Sequence, residues 1–348
     1  MAAKVFHIPL IAVTPALRLH SIVQRTPTVS NSASKDHPGV KVVSSTEALC
    51  SDPDVAIVVV TSTPETHFNF TKAALEAGKH VLVEKPFVPT AAEAEKLIDI
   101  ADRTGKLLCV YQNRRWDTDF LTFRKLQQEG TLGRLVEFET HFDRYRAERP
   151  DSWKGQLGMN DAGGVIYDLG THLIDQAFVA FGMPQEVTGI FANQRGDAGE
   201  PDSVTALLSY TSGTNKGLLV TVKAAVISPE SSQLRYWVRG TKGSYKKHHL
   251  DVQEDQLKQG SKPGDMLFGV EGDEMSGKLV TMEGETPKET IYKNVEPETY
   301  AKLYTLFADA IEKGDPEAVP VKASEARDVL TIIEAIRKSA ELKKTVSW

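Results

Sequence analysis

A lysine follows a short apolar run in the motif Glu84-Lys85-Pro86, directly after Val81-Leu82-Val83. An apolar run of this kind is typical of a strand in a parallel sheet, and doubly wound sheets bind ligands at the carboxyl ends of their strands. A lysine at that edge can donate or accept a proton when burial or a neighbouring cation lowers the pKa of its amine. A solvated lysine in an ordinary turn would have the same sequence, so the motif alone leaves both interpretations open.

Two further titratable side chains stand four residues apart in a helix that we predict over residues 164–181, opened by Gly163-Gly164. Asp168 and His172 therefore project from one helical face, one turn apart. A carboxylate in this position can raise the pKa of the imidazole and fix its orientation. The alternative is a helix with surface Asp and His residues. The HExxH spacing of a zinc site is absent here, and we predict no metal centre.

Arginines supply candidate anion-binding groups. Arg114 and Arg115 follow a predicted strand over residues 107–111. They can hold a carboxylate or a phosphate, or they can form an ion-pair cluster between domains. The segment before the Gly-Gly helix carries further candidates for a polar pocket: His141, Arg144, Arg146 and Trp153. Arginine and tryptophan on a strand are also commonly exposed or stacked, so the pocket is one of two interpretations.

Two successive patterns of secondary structure must position these residues. In the first 120 residues, apolar runs alternate with helical stretches, which predicts βαβ units and an α/β, Rossmann-type, doubly wound parallel sheet. From about Leu135, strand-like segments separated by turn residues predict an α+β domain with a large, mostly antiparallel sheet. We therefore expect a dinucleotide-binding domain over residues 1–120 and a substrate domain over 121–348, whose last two helices pack back on the first.

The predicted segments can be given by residue number. Strands are expected at 19–23, 56–60, 81–83, 107–111, 135–145, 186–192, 203–210, 217–226, 233–240 and 243–248. Helices are expected at 65–77, 90–104 and 164–181 and, near the chain end, around 303–311 and 329–336. Residues 254–289 are rich in Gly, Lys, Glu and Asp, and we interpret them as a surface excursion.

Four motifs, in this order and spacing, resemble the Gfo/Idh/MocA family of NAD(P)-dependent oxidoreductases over nearly the whole chain. They are Thr63-Pro64-Glu65-Thr66-His67, the segment from Gly78 to Pro86, Asn113-Arg114-Arg115, and Gly163-Gly164 with Asp168 and His172. The resemblance implies that a sugar or polyol hydroxyl loses its proton to Lys85 or His172 while its carbon gives hydride to the nicotinamide. It implies catalytic roles for Lys85, Asp168 and His172, and substrate contacts from Lys85, Arg146, Trp153, Asp168 and His172.

The choice of cofactor depends on the end of the first predicted strand. NAD-binding forms of this fold usually place a carboxylate there to bind the ribose 2′-hydroxyl, whereas this chain has Gln24-Arg25-Thr26. Arg25 can pair with a 2′-phosphate, so we predict NADP, with NAD as the alternative. The residues expected to bind the cofactor are Gln24, Arg25, Thr26, Thr61, Thr63, Pro64, His67, Glu84, Lys85, Asn113 and Arg115.

One element of the family pattern is not found, namely the GxGxxG turn that follows the first strand. The sequence starts at Met1-Ala2-Ala3, directly before the segment that would follow this turn, so we expect the first strand to be missing. A truncated chain, a short form that has lost tight dinucleotide binding, and a sheet that closes without this strand all remain open. A non-catalytic regulatory or binding protein on the same scaffold is therefore the alternative function.

Composition excludes several classes of protein. The chain has 348 residues, with 41 Lys and Arg against 47 Asp and Glu, which gives a net charge of −6. It therefore lacks the positive electrostatic field of a nucleic-acid-binding protein. Two distant cysteines and the absence of a signal-peptide pattern indicate a cytoplasmic protein. No apolar run is long enough to cross a membrane. We expect a small-molecule substrate and a homodimer or tetramer formed through the second-domain sheet.

Overall fold

The computed structural model describes residues 2–29 and 31–348, with the backbone but not the side chain of Trp153. Its strands are β1 Ser21–Val23, β2 Lys41–Val43, β3 Ile57–Val60, β4 His80–Val83, β5 Leu108–Val110, β6 Leu135–Asp143, β7 Glu186–Ala192, β8 Ser203–Ser209, β9 Leu219–Ala225, β10 Leu234–Gly240, β11 Gly243–His248, β12 Gly277–Glu283, β13 Thr286–Tyr292 and β14 Val346–Ser347. Its α-helices are α1 Ile8–Ala12, α2 Ala33–Asp36, α3 Thr46–Cys50, α4 Pro64–Glu76, α5 Ala91–Thr104, α6 Thr118–Glu129, α7 Trp153–Gln156, α8 Thr171–Phe181, α9 Gln253–Lys258, α10 Ala301–Lys313 and α11 Ala323–Leu342.

The first part of the chain forms parallel sheets, as predicted. β1 pairs with β2, and β3, β4 and β5 form a second sheet in that order. Val81, Leu82 and Val83 of β4 are fully buried, because helices cover both faces of such a sheet. In the described residues a π-helical turn, Ala3–His7, precedes α1, and the two sheets share no hydrogen-bonded strand.

The second part of the chain forms the expected large sheet. Nine strands lie in the order β13-β12-β11-β10-β6-β9-β8-β7-β14, and every neighbouring pair is antiparallel except β6 with β9. Side chains alternate between buried and less buried along β8, as expected for a sheet covered on one face. The fold class predicted from the sequence is confirmed, although β2, β12, β13 and β14 were not foreseen.

Helix α11 lies against both parts of the chain. It packs on β7 of the large sheet and on α5 of the first part. The Arg327 guanidinium donates to Glu95 at 2.7 Å, and Glu334 accepts the backbone N–H of Ala91 at 2.8 Å. These contacts join the two predicted domains, while the division at residue 120 stays a prediction.

The interpretation of residues 254–289 as a surface excursion is wrong for much of the segment. It contains most of α9, all of β12 and the first part of β13, and it buries Leu257 and Phe268. The strands were missed because they extend the sheet at its edge, where charged side chains such as Lys278 and Glu289 pair across the exposed surface.

Candidate active site

Lys85 follows β4 at the carboxyl edge of its sheet and reaches across to the second part of the chain. Its ammonium donates to the backbone carbonyl of Asp168 at 2.6 Å and to the Asp168 carboxylate at 3.3 Å. Burial lowers the pKa of Lys85, while the negative charge of Asp168 works in the opposite direction. The amine therefore loses its proton more readily than an exposed lysine would, as a proton-transfer group requires.

Asp168 is the carboxylate on which several cations converge. Lys154 donates to it at 3.0 Å, and an Nη atom of Arg144 lies 3.8 Å away. Burial alone would raise the pKa of Asp168, but Lys85, Lys154 and Arg144 hold it well below its usual value. Asp168 therefore remains ionised and fixes the position of the Lys85 ammonium.

His172 lies one turn beyond Asp168 and is 5% exposed. Burial, together with the positive charges of Lys85 and Arg114, holds the pKa of His172 well below its ordinary value. The imidazole is therefore neutral near pH 7. Its Nδ1 atom is buried and has no hydrogen-bond partner in the described part of the chain. The ring thus keeps one nitrogen available for a ligand.

The helix that carries these residues starts in an unusual way. A π-helical turn, Ile166–Gly170, precedes α8, and such turns are frequent at functional sites. Before it, a Cβ atom on Gly163 would lie 2.0 Å from the carbonyl oxygen of Leu157, and Gly164 has φ +81°. Two glycines are therefore required for the chain to enter this helix, which explains the Gly-Gly motif.

Arg114 also belongs to this site, through a contact that the sequence did not predict. Its guanidinium pairs with Asp117 and with Glu254 of α9, and it lies over the ring of Phe142, 4.7 Å from the centroid. Glu254 was assigned to the surface excursion, yet it acts electrostatically on both Lys85 and Arg144. No motif distinguishes Glu254 in the sequence, because its partner lies 140 residues away.

Arg115 forms an ion-pair cluster, which is one of the two roles that the sequence left open for the double arginine. It donates to both carboxylate oxygens of Asp175, at 2.9 and 2.7 Å, and to Glu325 of α11 at 2.6 Å. Its guanidinium is therefore committed to an ion-pair cluster between elements. The cofactor contact expected of Arg115 stays a prediction, and nothing in this geometry supports it.

Glu84 and His67 anchor the turn that presents Lys85. Glu84 accepts from the backbone N–H of Lys85 at 3.0 Å and lies 2.7 Å from Nε2 of His7, a residue absent from the sequence-based candidates. Burial would raise the pKa of Glu84, but His7 and Lys85 hold it below its usual value. The ring nitrogens of His67 lie 2.9 Å from the carbonyl oxygen of Pro86 and 3.1 Å from that of Ser62.

The remaining predicted cofactor residues occupy three places, which follow β3, β5 and β1. Thr61 and Thr63 lie between β3 and α4, and Pro64 is the first residue of α4. The Thr63 hydroxyl donates to Glu65, and Asn113 is buried in a 3₁₀ turn after β5. Gln24, Arg25 and Thr26 follow β1. Gln24 uses its amide to hold Asn31 and Ala33, whereas Arg25 and Thr26 are exposed.

Arg146 and Trp153 are the two remaining substrate candidates. Arg146 is exposed, and its backbone carbonyl accepts from Arg195 at 2.9 Å. Among the described residues, Arg146 forms no hydrogen bond or ion pair with Lys85, Asp168 or His172. The side chain of Trp153 lies outside the described part of the structure. Both assignments therefore stay predictions.

Comparison with known proteins decides the family. Residues 1–112 match the oxidoreductase family with an NAD-binding Rossmann fold, and residues 120–246 match the GFO/IDH/MocA C-terminal domain. The oxidoreductase YdgJ of Escherichia coli, described as uncharacterized, is 40% identical over 99% of this chain and 95% of its own length. The chain belongs to the Gfo/Idh/MocA family of oxidoreductases.

Two further relatives of this Gfo/Idh/MocA protein come from Bacillus subtilis. The scyllo-inositol 2-dehydrogenase (NADP(+)) IolW is 38% identical over 99% of the chain and 93% of its own length. The solved structure of the putative oxidoreductase yvaA superposes with a TM-score of 0.92 at 36% identity, covering 100% of this chain and 95% of that one. This protein is therefore an oxidoreductase enzyme of the dinucleotide-binding class.

The residues at the site fit the nicotinamide dinucleotide that the family implies. Besides His172 Nδ1, the side-chain carbonyl oxygen of Gln112 is buried without a hydrogen-bond partner in the ranges described. Both groups lie next to elements at the carboxyl edge of the parallel sheet, Gln112 after β5 and His172 in α8. A buried polar atom without a hydrogen-bond partner raises the free energy of the folded state. A polar ligand at this edge would supply the missing partners and remove that cost.

Two other features bear on metal binding and on membrane insertion. Ligand atoms of His20, Asp52 and Asp54 lie within 4.8 Å of one another, but the Asp52 carboxylate already accepts from Lys41 at 2.7 Å. A lysine ammonium therefore takes the place that a cation would occupy. Among the described residues, every helix is too short or too polar to span a bilayer.

Proposed function

We propose that this protein is an NADP-dependent oxidoreductase that interconverts a hydroxyl and a carbonyl group on a sugar or polyol. The observation that carries the proposal is the half-buried Lys85 amine, which has a lowered pKa and lies 2.6 Å from the backbone carbonyl oxygen of Asp168, in the π-helical turn that leads into the helix of His172. The relative IolW is named as an NADP(+)-dependent dehydrogenase of scyllo-inositol, and a Myo-inositol 2-dehydrogenase of Thermotoga maritima is 25% identical. Both names support a polyol substrate.

In this reaction the side chains of the protein transfer the proton and position the proton-transfer group. NADP, when bound, accepts or supplies the hydride. The hydroxyl proton must leave as the hydride does, and Lys85 or neutral His172 accepts it. Asp168 keeps the Lys85 amine in place through an ion pair and a backbone carbonyl. Reduction of a carbonyl uses the same groups in reverse, with the Lys85 ammonium as proton donor.

Turnover of a Lys85→Met variant tests this mechanism. General acid–base catalysis contributes about 10²- to 10⁴-fold, so we expect the variant to lose that factor in kcat. NADPH binding is followed in parallel by the change in its fluorescence on mixing, because a variant that binds NADPH without turnover has lost proton transfer and not the cofactor. Full turnover by Lys85→Met would eliminate the mechanism. Binding of NADPH by the unaltered protein without turnover of any sugar or polyol would instead favour the non-catalytic binding protein.

Selection of NADP by Arg25 can be tested separately. Its guanidinium is exposed after β1 and lies 5.7 Å from the ring centroid of Phe70, so it is accessible to a phosphate. An Arg25→Glu variant should bind NADPH more weakly and NADH no more weakly, because a carboxylate repels the 2′-phosphate. An unchanged NADPH/NADH affinity ratio would refute this assignment.

We further propose that the molecule forms a dimer or tetramer through the open face of the large sheet. Ile190, Leu219 and Trp237 project from this face, and they are 65%, 36% and 37% exposed. Covering such apolar side chains favours association. Sedimentation as a strict monomer would contradict the proposal. Both cysteines are free and buried, which supports the cytoplasmic placement proposed from the sequence.

A further inference from the structure

Arg144 is held rigidly at the edge of the active site. It follows β6, and its backbone N–H donates to the carbonyl of Ala225 at 3.0 Å while its carbonyl accepts from Ser228 at 3.1 Å. The guanidinium lies over Phe142, 4.9 Å from the ring centroid, and beside Asp168. The backbone position and the stacked ring therefore fix where this cation points.

The guanidinium of Arg144 is largely buried, yet none of its nitrogen atoms has a close acceptor among the residues that the structure describes. Its side chain is 21% exposed, and the Asp168 carboxylate, at 3.8 Å, is beyond hydrogen-bond distance. The Nε atom is buried and has no hydrogen-bond partner in the described ranges. Arg115 and Arg235, by contrast, each donate to a carboxylate at 2.7 Å. A guanidinium presents five donors, so Arg144 lacks acceptors that comparable arginines in this fold possess.

The surrounding charges point to the nature of the missing acceptor. Lys85, Lys154 and Arg144 all contact the single carboxylate of Asp168. The nearby carboxylate of Glu254 pairs with Arg114 and accepts from Lys258 at 2.5 Å. Three cations therefore share one carboxylate, and Asp168 alone does not compensate the charge of all of them. An anionic group would both offset this charge and satisfy the guanidinium, which prefers planar, two-point contacts with carboxylate or phosphate.

We propose that the substrate is a sugar or polyol bearing an oxyanion, a carboxylate or a phosphate, which Arg144 binds. The inference rests on the proposed function, because Lys85 and His172 define where the reacting carbon lies. It narrows the substrate class from neutral polyols to acidic derivatives. Arg144 acts here as a specificity-determining residue, in direct contact with substrate.

Matched substrates can test the inference. The protein saturated with NADP is assayed with D-glucose, D-glucuronate and D-glucose 6-phosphate, and with myo-inositol and its monophosphate. We expect kcat/KM to favour the carboxylate or the phosphate form over its neutral counterpart, and the member that is favoured identifies the oxyanion. In Arg144→Met this preference should fall by roughly 10- to 100-fold, the worth of hydrogen bonds to a charged group.

Two variants serve as controls. Arg103→Met removes an exposed arginine of α5 that donates to the carbonyl of Asp99 in the same helix, and it should leave the preference unchanged. Arg144→Lys restores the charge without the planar fork, so it should recover the phosphate preference better than the carboxylate preference. A wild-type preference for neutral substrates, or an equal loss for neutral and acidic substrates in Arg144→Met, would overturn the inference.

Binding separates this inference from the proposed function. If no sugar or polyol is turned over, the proposed function fails, and isothermal titration of the same compounds into the NADP-saturated protein decides the inference. Tighter binding of the acidic compounds that is lost in Arg144→Met would support it. Equal binding of acidic and neutral compounds, or no binding of either, would refute it.

Discussion

Arg115 offers a direct test of structural against ligand-binding roles, through the variant Arg115→Met. The side chain of Asp175 is 2% exposed, and that of Glu325 is 35% exposed. Removing one partner of a buried ion pair costs roughly 3–5 kcal/mol because the remaining charge is buried without compensation. The half-exposed Glu325 pair adds less than about 1 kcal/mol. We therefore expect Arg115→Met to lose roughly 3–5 kcal/mol of unfolding free energy.

Urea denaturation measures this loss, and a second variant isolates its cause. In Arg115→Met with Asp175→Asn no buried charge is left, so stability should recover by at least about half. Burial already raises the pKa of Asp175 and Arg115 opposes that shift, so removing Arg115 raises this pKa further. A carboxyl whose folded pKa is raised favours folding at low pH. The deficit of Arg115→Met should therefore shrink as the pH falls toward 5.

Unchanged stability of Arg115→Met with weaker NADPH binding would contradict a structural role for Arg115. The control Arg103→Met, an exposed arginine, should change stability by no more than about 0.5 kcal/mol. If Arg115→Met unfolds at the wild-type urea concentration and instead binds NADPH more weakly, Arg115 is a cofactor residue. The sequence-based assignment would then be correct and the reasoning from burial would be refuted.

Three further predictions concern the helix of the active site. Asp168→Asn removes the charge that raises the pKa of Lys85, so the rise of the oxidation rate with pH should move to lower pH, and an unmoved profile would contradict the ion pair. Because folding lowers the pKa of His172, the unfolded chain takes up a proton below about pH 6.5 that the folded chain does not, so wild type should lose up to about 1.4 kcal/mol per pH unit relative to His172→Gln as the pH falls. Parallel stability curves would exclude a neutral buried His172. Gly163→Ala places a Cβ atom 2.0 Å from the carbonyl oxygen of Leu157. This variant should lose roughly 1–3 kcal/mol of unfolding free energy in urea and should turn over more slowly. Wild-type stability and turnover would refute the close approach.

The sequence predicted the positions in the fold of those candidate-site residues that depend on local patterns. Lys85 lies at the end of β4 and Asp168 with His172 in one helix, because apolar runs and glycine turns are properties of neighbouring residues. Strand boundaries differed from prediction by one or two residues where turn residues also fit an extended chain, as at the end of β8.

Contacts between distant residues could not be predicted. His7 binds Tyr304, 297 residues away, and Arg114 binds Glu254, 140 residues away. The sequence shows which residues can form ion pairs, but it does not show which pairs the fold brings together. The same limit left both roles open for Arg115, until the structure placed its guanidinium between Asp175 and Glu325.

The position of α11 has a consequence for how cofactor and substrate enter. Ala326, Val329 and Ile333 of this helix are buried, and it packs against both α5 and β7. A hinge motion that swung the parallel sheets away from the nine-stranded sheet would expose these side chains to water, at about 25 cal/mol for each Å² uncovered. Helix α11 thus holds the parallel sheets and the nine-stranded sheet in a fixed relative position. We therefore expect ligands to enter and leave through rearrangement of loops at the mouth of the cleft, without opening of the whole molecule.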